Sequence, residues 1–378
     1  MNLFGIIVMY FICFFSIMGT FLTFPHISRK NISFGISIPE DLYYSSEIKN
    51  VRKKFTQKGL VIGFIILIFA IITSLVLNNQ GSPDNAVLVV VPAIFILLLA
   101  YMVLYLNAYK EMKIIKSNSS WKDQSKEVIV IDTDFRKGKL MVSPLWFVSY
   151  LLVIMITLFV GIYFYDTAPE KIPMNFDFSG NVTNYVDKSI RVFLMPVFVQ
   201  LMMLVIFMFS YWMIGKSKQQ IDASNPEVSK EQNRMFRLKW SQFIIFTGFI
   251  MMILFMILQL TSIGVLKNLQ IVTLFAIGVP LLIVVAAIVL SIRTGQSGNR
   301  IHVYTNKAGE KMSISRDDDK YWKLGTFYYN PQDPSLFIEK RFGIGWTMNF
   351  GRPLSWVIFI GLMLFIAGFS IFTSIYMK

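Results

Sequence analysis

A single cysteine, Cys13, and two histidines, His26 and His302, stand in a chain of 378 residues. One thiol excludes an intrachain disulfide framework and any cysteine-based zinc cluster, and two imidazoles leave little material for a metal centre or a proton relay. Charge is scarce as well. Charged residues make up 15% of the chain, where a soluble domain carries about 25%, so the composition speaks against a water-soluble protein. Signatures of hydrolytic and nucleotide chemistry are also missing. The sequence holds no His-Glu-x-x-His, no Gly-x-Ser-x-Gly on a strand–turn–helix pattern, no membrane-embedded aspartate pair and no glycine-rich phosphate or dinucleotide loop. No enzymatic activity, cofactor or metal is expected.

Apolar residues, 55% of the chain with 35 Phe and 21 Met, come in long blocks instead of core stripes. A helix crosses a bilayer when about 20 residues carry no charge and satisfy their own backbone hydrogen bonds. Eight blocks qualify: residues 3–24, 59–77, 87–106, 145–165, 192–214, 241–263, 270–292 and 354–376, none containing Asp, Glu, Lys or Arg. The expected fold is an all-α polytopic membrane protein of eight transmembrane helices with a small β-containing cytoplasmic loop region. Basic residues set its direction. The loops after the first, third, fifth and seventh blocks hold 31 of the 36 Lys and Arg; the other side holds Lys171, Lys188, Arg191, Lys267 and Lys378 against five acids. The net charge of +14 thus gathers on one side. This predicts a multi-pass protein of the cell membrane with that face cytoplasmic and both termini outside. It also removes the reason to expect direct nucleic-acid binding; the first partner is the lipid bilayer. Block one, followed rather than preceded by basic residues, reads as an uncleaved anchor.

Ionisable groups at membrane depth are absent, so an ion or proton pathway has little to work with. The deepest polar groups, Gln200 and Gln259, are placed to bridge helices or to contact substrate. Pro92, Pro196 and Pro280 lie inside blocks, where they tend to kink helices.

The exported side has one loop of substance, residues 166–189. Pro173 and Gly180 punctuate it, and Phe176, Phe178 and Tyr185 alternate with acids and amides, as either a folded cap on the bundle or a recognition surface. Pro173-Met174-Asn175-Phe176-Asp177-Phe178-Ser179-Gly180, continuing to Tyr185 and Lys188, resembles the signature loop of SdpI-type membrane proteins, bacterial multi-pass proteins related to the sporulation-delay toxin immunity protein. Asn175 stands where that family usually has His, and Asp177 where it has Asn. The resemblance implies immunity to, or sensing of, an exported peptide or lipid ligand, relayed to a cytosolic regulator. Pro173, Asn175, Phe176, Asp177, Gly180, Tyr185 and Lys188 are the ligand-recognition candidates.

On the cytoplasmic side, residues 300–305 and 311–314 alternate as a hairpin around Asn306-Lys307-Ala308-Gly309. Two further β-like runs, residues 321–329 and 336–350, flank an Asn330-Pro331-Gln332-Asp333-Pro334 turn. This stretch resembles a short bacterial domain of unknown function, marked by Asp317-Asp318-Asp319-Lys320-Tyr321-Trp322, Phe327-Tyr328-Tyr329-Asn330-Pro331 and Lys340-Arg341-Phe342-Gly343-Ile344-Gly345-Trp346-Thr347. The three adjacent aspartates lack the spaced ligands of a calcium loop. Residues 127–131, and residues 33–38 of the first loop, are expected to join these hairpins in one β platform. Tyr321, Trp322, Tyr328, Asn330, Lys340, Arg341 and Trp346 are the candidates for a cytosolic partner surface, with Lys340, Arg341 and Trp346 also suited to anionic headgroups. The segments are 1–141, 142–214, 215–292, 293–352 and 353–378. The leading function is an SdpI-like sensor or immunity protein; the rivals are a transporter or lipid-moving protein, and an accessory subunit of a membrane complex.

Overall fold

The computed structural model of the chain describes residues 3–79, 88–119, 138–176, 182–219, 221, 225–303 and 318–376. Eight helices in it are long and apolar enough to cross a membrane: α1 (Leu3–Ile27), α2 (Ser46–Asn79), α3 (Val90–Ser117), α4 (Phe147–Tyr163), α5 (Ile190–Lys216), α6 (Pro226–Ser262), α7 (Leu269–Thr294) and α8 (Pro353–Tyr376). Four antiparallel hairpins lie between them: β1 (Ile32–Ser33) with β2 (Ile36–Ser37), β3 (Lys171–Phe176) with β4 (Val182–Asp187), β5 (Trp322–Lys323) with β6 (Phe327–Tyr328), and β7 (Phe337–Glu339) with β8 (Trp346–Met348). The protein is a multi-pass membrane protein. Its chain divides into two compact units, residues 1–140, 216–237 and 287–355 in the first, and residues 141–215, 238–286 and 356–378 in the second.

Several helices outrun their charge-free blocks. α2 begins at Ser46 because Ile48, Val51, Arg52, Phe55 and Gly59 recur at helical spacing and are buried, while Lys49, Lys53, Lys54 and Lys58 face outward. Further along, Gly59 and Gly63 let α1 and α3 approach closely. A Cβ at Gly59 would lie 2.5 Å from Leu22 and 3.0 Å from the Tyr101 ring, and one at Gly63 would lie 2.6 Å from Met18. Small residues four apart serve this purpose where lipid gives no hydrophobic drive to association. The Tyr101 hydroxyl donates to the Gly59 carbonyl at 3.1 Å, and Tyr10 and Ser74 share a bond of 2.8 Å. Pro92 lies in the first turn of α3, three residues after Val89 (φ −66°, ψ −26°). Pro196 and Pro280 do lie within α5 and α7.

The strands of the first unit depart from the single-platform expectation. β1–β2, β5–β6 and β7–β8 are separate two-stranded sheets, and one isolated bridge, Tyr328 to Asn349, ties β6 to the end of β8. Each of the two β-like runs folds back on itself, because Leu324-Gly325 and Gly343 with Gly345 adopt the positive φ that tight reversals require. Among the described residues the runs meet across the Asn330–Pro334 turn at the Tyr328–Asn349 bridge and form no longer ladder there. Residues 127–131 and 304–317 fall outside the described residues; residues 301–303 are not in a strand.

Candidate functional site

Two groups of predicted residues can be followed, one in each unit. In the second unit, β3 and β4 form a hairpin in the loop between α4 and α5, pairing Lys171 with Asp187, Ile172 with Val186 and Pro173 with Tyr185, then shifting register at Asn175. Alternation along a strand sends Ile172 inward, where it packs fully buried with Ala168, Phe193 and Ile263. Tyr185 is 53% exposed. Lys188 is not free for a ligand. Its Nζ donates to the Asp166 and Ala168 carbonyls at 3.2 Å, lies 5.2 Å from the Tyr165 ring centre and is 3.8 Å from Glu170. Its backbone N–H donates to the Glu170 carbonyl at 2.8 Å. Lys188 thus staples the hairpin's return strand to the turn that follows α4. Asn175 and Phe176 sit on the backbone of β3; Asp177 and Gly180 lie outside the described residues.

Beneath the hairpin the two amides behave differently. Gln200 Nε2 donates to Thr157 Oγ1 at 3.0 Å and to the Met252 carbonyl at 2.9 Å, joining α4, α5 and α6. Gln259 is 1% exposed, and neither its amide nitrogen nor its oxygen has a hydrogen-bond partner. It lies against Gly161, where a Cβ would come within 2.7 Å of Nε2. The structure brings Gln200 and Gln259 into the same three-helix packing without joining them.

In the first unit, the predicted partner surface is mostly interior. Trp322, Tyr328, Asn330, Arg341 and Trp346 are buried; Tyr321 is half-buried and Lys340 exposed. The physical reason is charge pairing. Arg341 is gripped by the carboxylates of Asp318 and Asp319, and it donates to the Gly35 carbonyl at 2.8 Å and to Ser37 Oγ at 3.1 Å. Asp319 also accepts from the Ser37 N–H at 3.1 Å and hydroxyl at 2.8 Å, and from Lys116 Nζ at 2.7 Å. Burial by itself would raise the Asp319 carboxyl and lower the Arg341 guanidinium. Their mutual attraction, with Lys116 added, outweighs it and holds Asp319 below the ordinary carboxylate value and Arg341 above its own. The headgroup reading of Arg341 and Trp346 fails for the same reason: one is paired inside, and the other packs on Phe236 at 5.6 Å.

Residues that the sequence reading missed complete this framework. Glu339, 1% exposed, accepts from Arg29, from the Ser297 hydroxyl and from Asn233 Nδ2, the last at 2.7 Å. Asn349 holds the Asn330–Pro334 turn shut: its Nδ2 reaches the carbonyls of Asn330, Asp333 and Ser335 at 2.8, 3.0 and 3.2 Å. Asp333 accepts from Lys218 Nζ at 2.5 Å and from the Tyr328 hydroxyl at 3.0 Å. Burial would raise Asp333, but Lys218 and the Ser335 N–H keep it low; burial leaves the Tyr328 phenol raised. Phe342 plugs the ends of the first three helices, its ring 4.4 Å from Tyr105 and 5.6 Å from Phe24, centre to centre. The only available sequence cue was the Asn, Asp and Gly density around the turn. A cleft of about 40 Å³, lined by Arg29, Asn31, Ile32, Ser37, Asp318, Trp322 and Arg341, carries the unpartnered Trp322 Nε1 and Asn31 Oδ1 and has the room and polarity for one or two waters. Among the described residues no group of His, Cys, Asp or Glu is arranged to hold a metal ion.

Residues 152–199 match a domain of unknown function, DUF1648, and residues 331–356 match a family of unknown function, DUF5808. The first match covers most of α4, the exported hairpin and the start of α5; the second covers Asp333, Glu339, Arg341, Trp346 and Asn349. DUF1648 is common in SdpI-like membrane proteins. No curated protein and no solved structure matches the chain.

Proposed function

We propose that the chain is an SdpI-like protein of the cell membrane that recognises an exported peptide or other envelope-active agent at the β3–β4 hairpin and relays occupancy to a cytosolic partner. The observation that carries this reading is the DUF1648 match over the hairpin, most of α4 and the start of α5. The geometry supports it: the hairpin is rooted by Ile172 and Lys188, so that its exposed face, with Tyr185, is presented on a fixed base. Preorganisation of this kind lowers the entropy lost on binding. Relay requires a ligand that favours one of two conformations by its differential affinity. α6 is the suited carrier, since it supplies Asn233 and Arg237 to the first unit and Ile245 and Met252 to the core of the second. No catalytic step and no nucleic-acid contact enters this function.

The test is deletion of the gene followed by challenge with a panel of envelope-active peptides. Deletion should raise sensitivity to at least one peptide. The wild-type gene should restore resistance, and Tyr185→Ala, inserted at wild-type level, should not. Unchanged sensitivity across the panel contradicts the reading. Transport is the second reading, favoured by the unpartnered Gln259 amide at membrane depth; Gln259→Leu would then abolish protection while Tyr185→Ala spared it.

A further inference from the structure

We infer that the tip of the β5–β6 hairpin is an interfacial wedge, inserted into the cytoplasmic leaflet and held there by anionic phospholipid headgroups. The turn is built against the preferences of water. Leu324 and Gly325 both have positive φ, 52° and 71°, the pattern of a tight hairpin turn in which Asn or Asp usually precedes the glycine. A leucine in that region carries a steric cost that Asn and Asp bear more easily. Phe34-Gly35 in the β1–β2 turn has the same backbone, φ 45° and 81°. There the cost is offset, because Phe34 is 1% exposed among Phe55, Tyr105 and Phe342. The two turns stack glycine on glycine, a Cβ at Gly35 falling 2.5 Å from Gly325. Leu324, however, is 51% exposed, and Phe327 and Tyr329 are 52% and 47% exposed. The Leu324 side chain, unlike that of Phe34, is not enclosed by its neighbours.

The position of the tip identifies the occupant. The Tyr105 hydroxyl donates to the Leu324 carbonyl at 2.9 Å, and a Cβ at Gly325 would meet that hydroxyl at 2.7 Å and Tyr109 at 3.0 Å. The apolar run of α3 ends at Leu106, before Asn107, and its first charge is Lys110. Leu324 therefore sits level with the last apolar turn of α3, at the depth where tyrosines mark the membrane interface. Strand pairing turns Trp322 and Tyr328 inward and puts Lys323 opposite Phe327 on the other face. Lys320 and Lys323 are both exposed beside the apolar tip. Apolar side chains aimed at acyl chains with lysines at their margin are the composition of an anionic-membrane anchor.

The test uses the full-length chain, with Cys13→Ser, in lipid nanodiscs. Single cysteines replace Leu324, Phe327 or, as an aqueous reference in the exposed turn, Gln332, and carry a nitroxide whose collisions with oxygen and with a water-soluble nickel chelate are measured. In discs containing phosphatidylglycerol, the oxygen-to-nickel ratio at positions 324 and 327 should exceed that at 332 several-fold. Lys320→Gln with Lys323→Gln should lower it to the value found in phosphatidylcholine alone. Ratios at 324 and 327 equal to that at 332 overturn the insertion and leave the face to a cytosolic protein. Equal ratios in the two lipids overturn the role of anionic headgroups. Two labelled positions keep the test open should one variant fail to insert.

Discussion

Replacing Arg341 by Leu removes the cation that Asp318 and Asp319 both face while keeping a side chain that fills much of the same space. Asp319 retains Lys116 and the Ser37 donors. Asp318, itself buried, loses the guanidinium that grips it, and the Gly35 carbonyl loses its donor. Breaking a buried ion pair by deleting one partner costs about 3–5 kcal/mol, because the remaining charge stays desolvated. Lys54→Ala is the internal control. Its partner Glu111 lies 2.8 Å away, but the two side chains are 58% and 42% exposed, so at most about 1 kcal/mol is at stake. Hydrogen exchange in nanodiscs reads the difference locally. The amide of Ser37, which donates to Asp319, should exchange about 10²–10⁴ times faster in Arg341→Leu and within about fivefold of wild type in Lys54→Ala. Equal, small effects in both variants would refute the claim that these charges hold the hairpins of the first unit together.

Two further outcomes follow from the same structure. Gln200→Leu gives up two interhelical hydrogen bonds and should lower thermal stability in detergent by about 0.6–1.7 kcal/mol, whereas Gln259→Leu removes an unpartnered buried amide and should be neutral or stabilising; the reverse order would show that Gln259 is the bridging group. The folded-state carboxyls of Asp319 and Asp333 are depressed. Their contribution is therefore in place above the unfolded carboxylate value near pH ~4 and disappears as pH falls through the lower folded values. Exchange at Ser37 and Ser335 should be protected equally at pH 7 and 5, after correction for intrinsic rates, and lose protection only below about pH 4.

The spans were legible in the sequence because lipid tolerates no unpaired charge, so eight charge-free blocks had only one use. Their cytoplasmic extensions were not: the stripe Ile48, Val51 and Phe55 begins α2 well before Gly59, but the lysines between them break any hydropathy window. The exported loop was legible as a unit, and the DUF1648 match falls on it. What escaped was the pairing. Arg341 reads the same in sequence whether it faces a headgroup or a buried aspartate, and its neighbours Gly35 and Ser37 lie about 300 residues away. Strands of two or three residues carry no periodicity, so three separate hairpins looked like material for one sheet. Aromatic density in a loop likewise does not distinguish a contact face from an interior; Trp322 and Tyr328 are interior, and Leu324, Phe327 and Tyr329 are exposed.

Because Cys13 is the sole cysteine, its replacement by Ser gives a clean background for placing the β3–β4 hairpin, the proposed recognition surface. A cysteine at the exposed Tyr185 should react with a membrane-impermeant maleimide in intact cells, while one at Gln332 should react only after permeabilisation. Labelling of position 332 but not 185 in intact cells would contradict the account outright, since the hairpin could then meet nothing from outside.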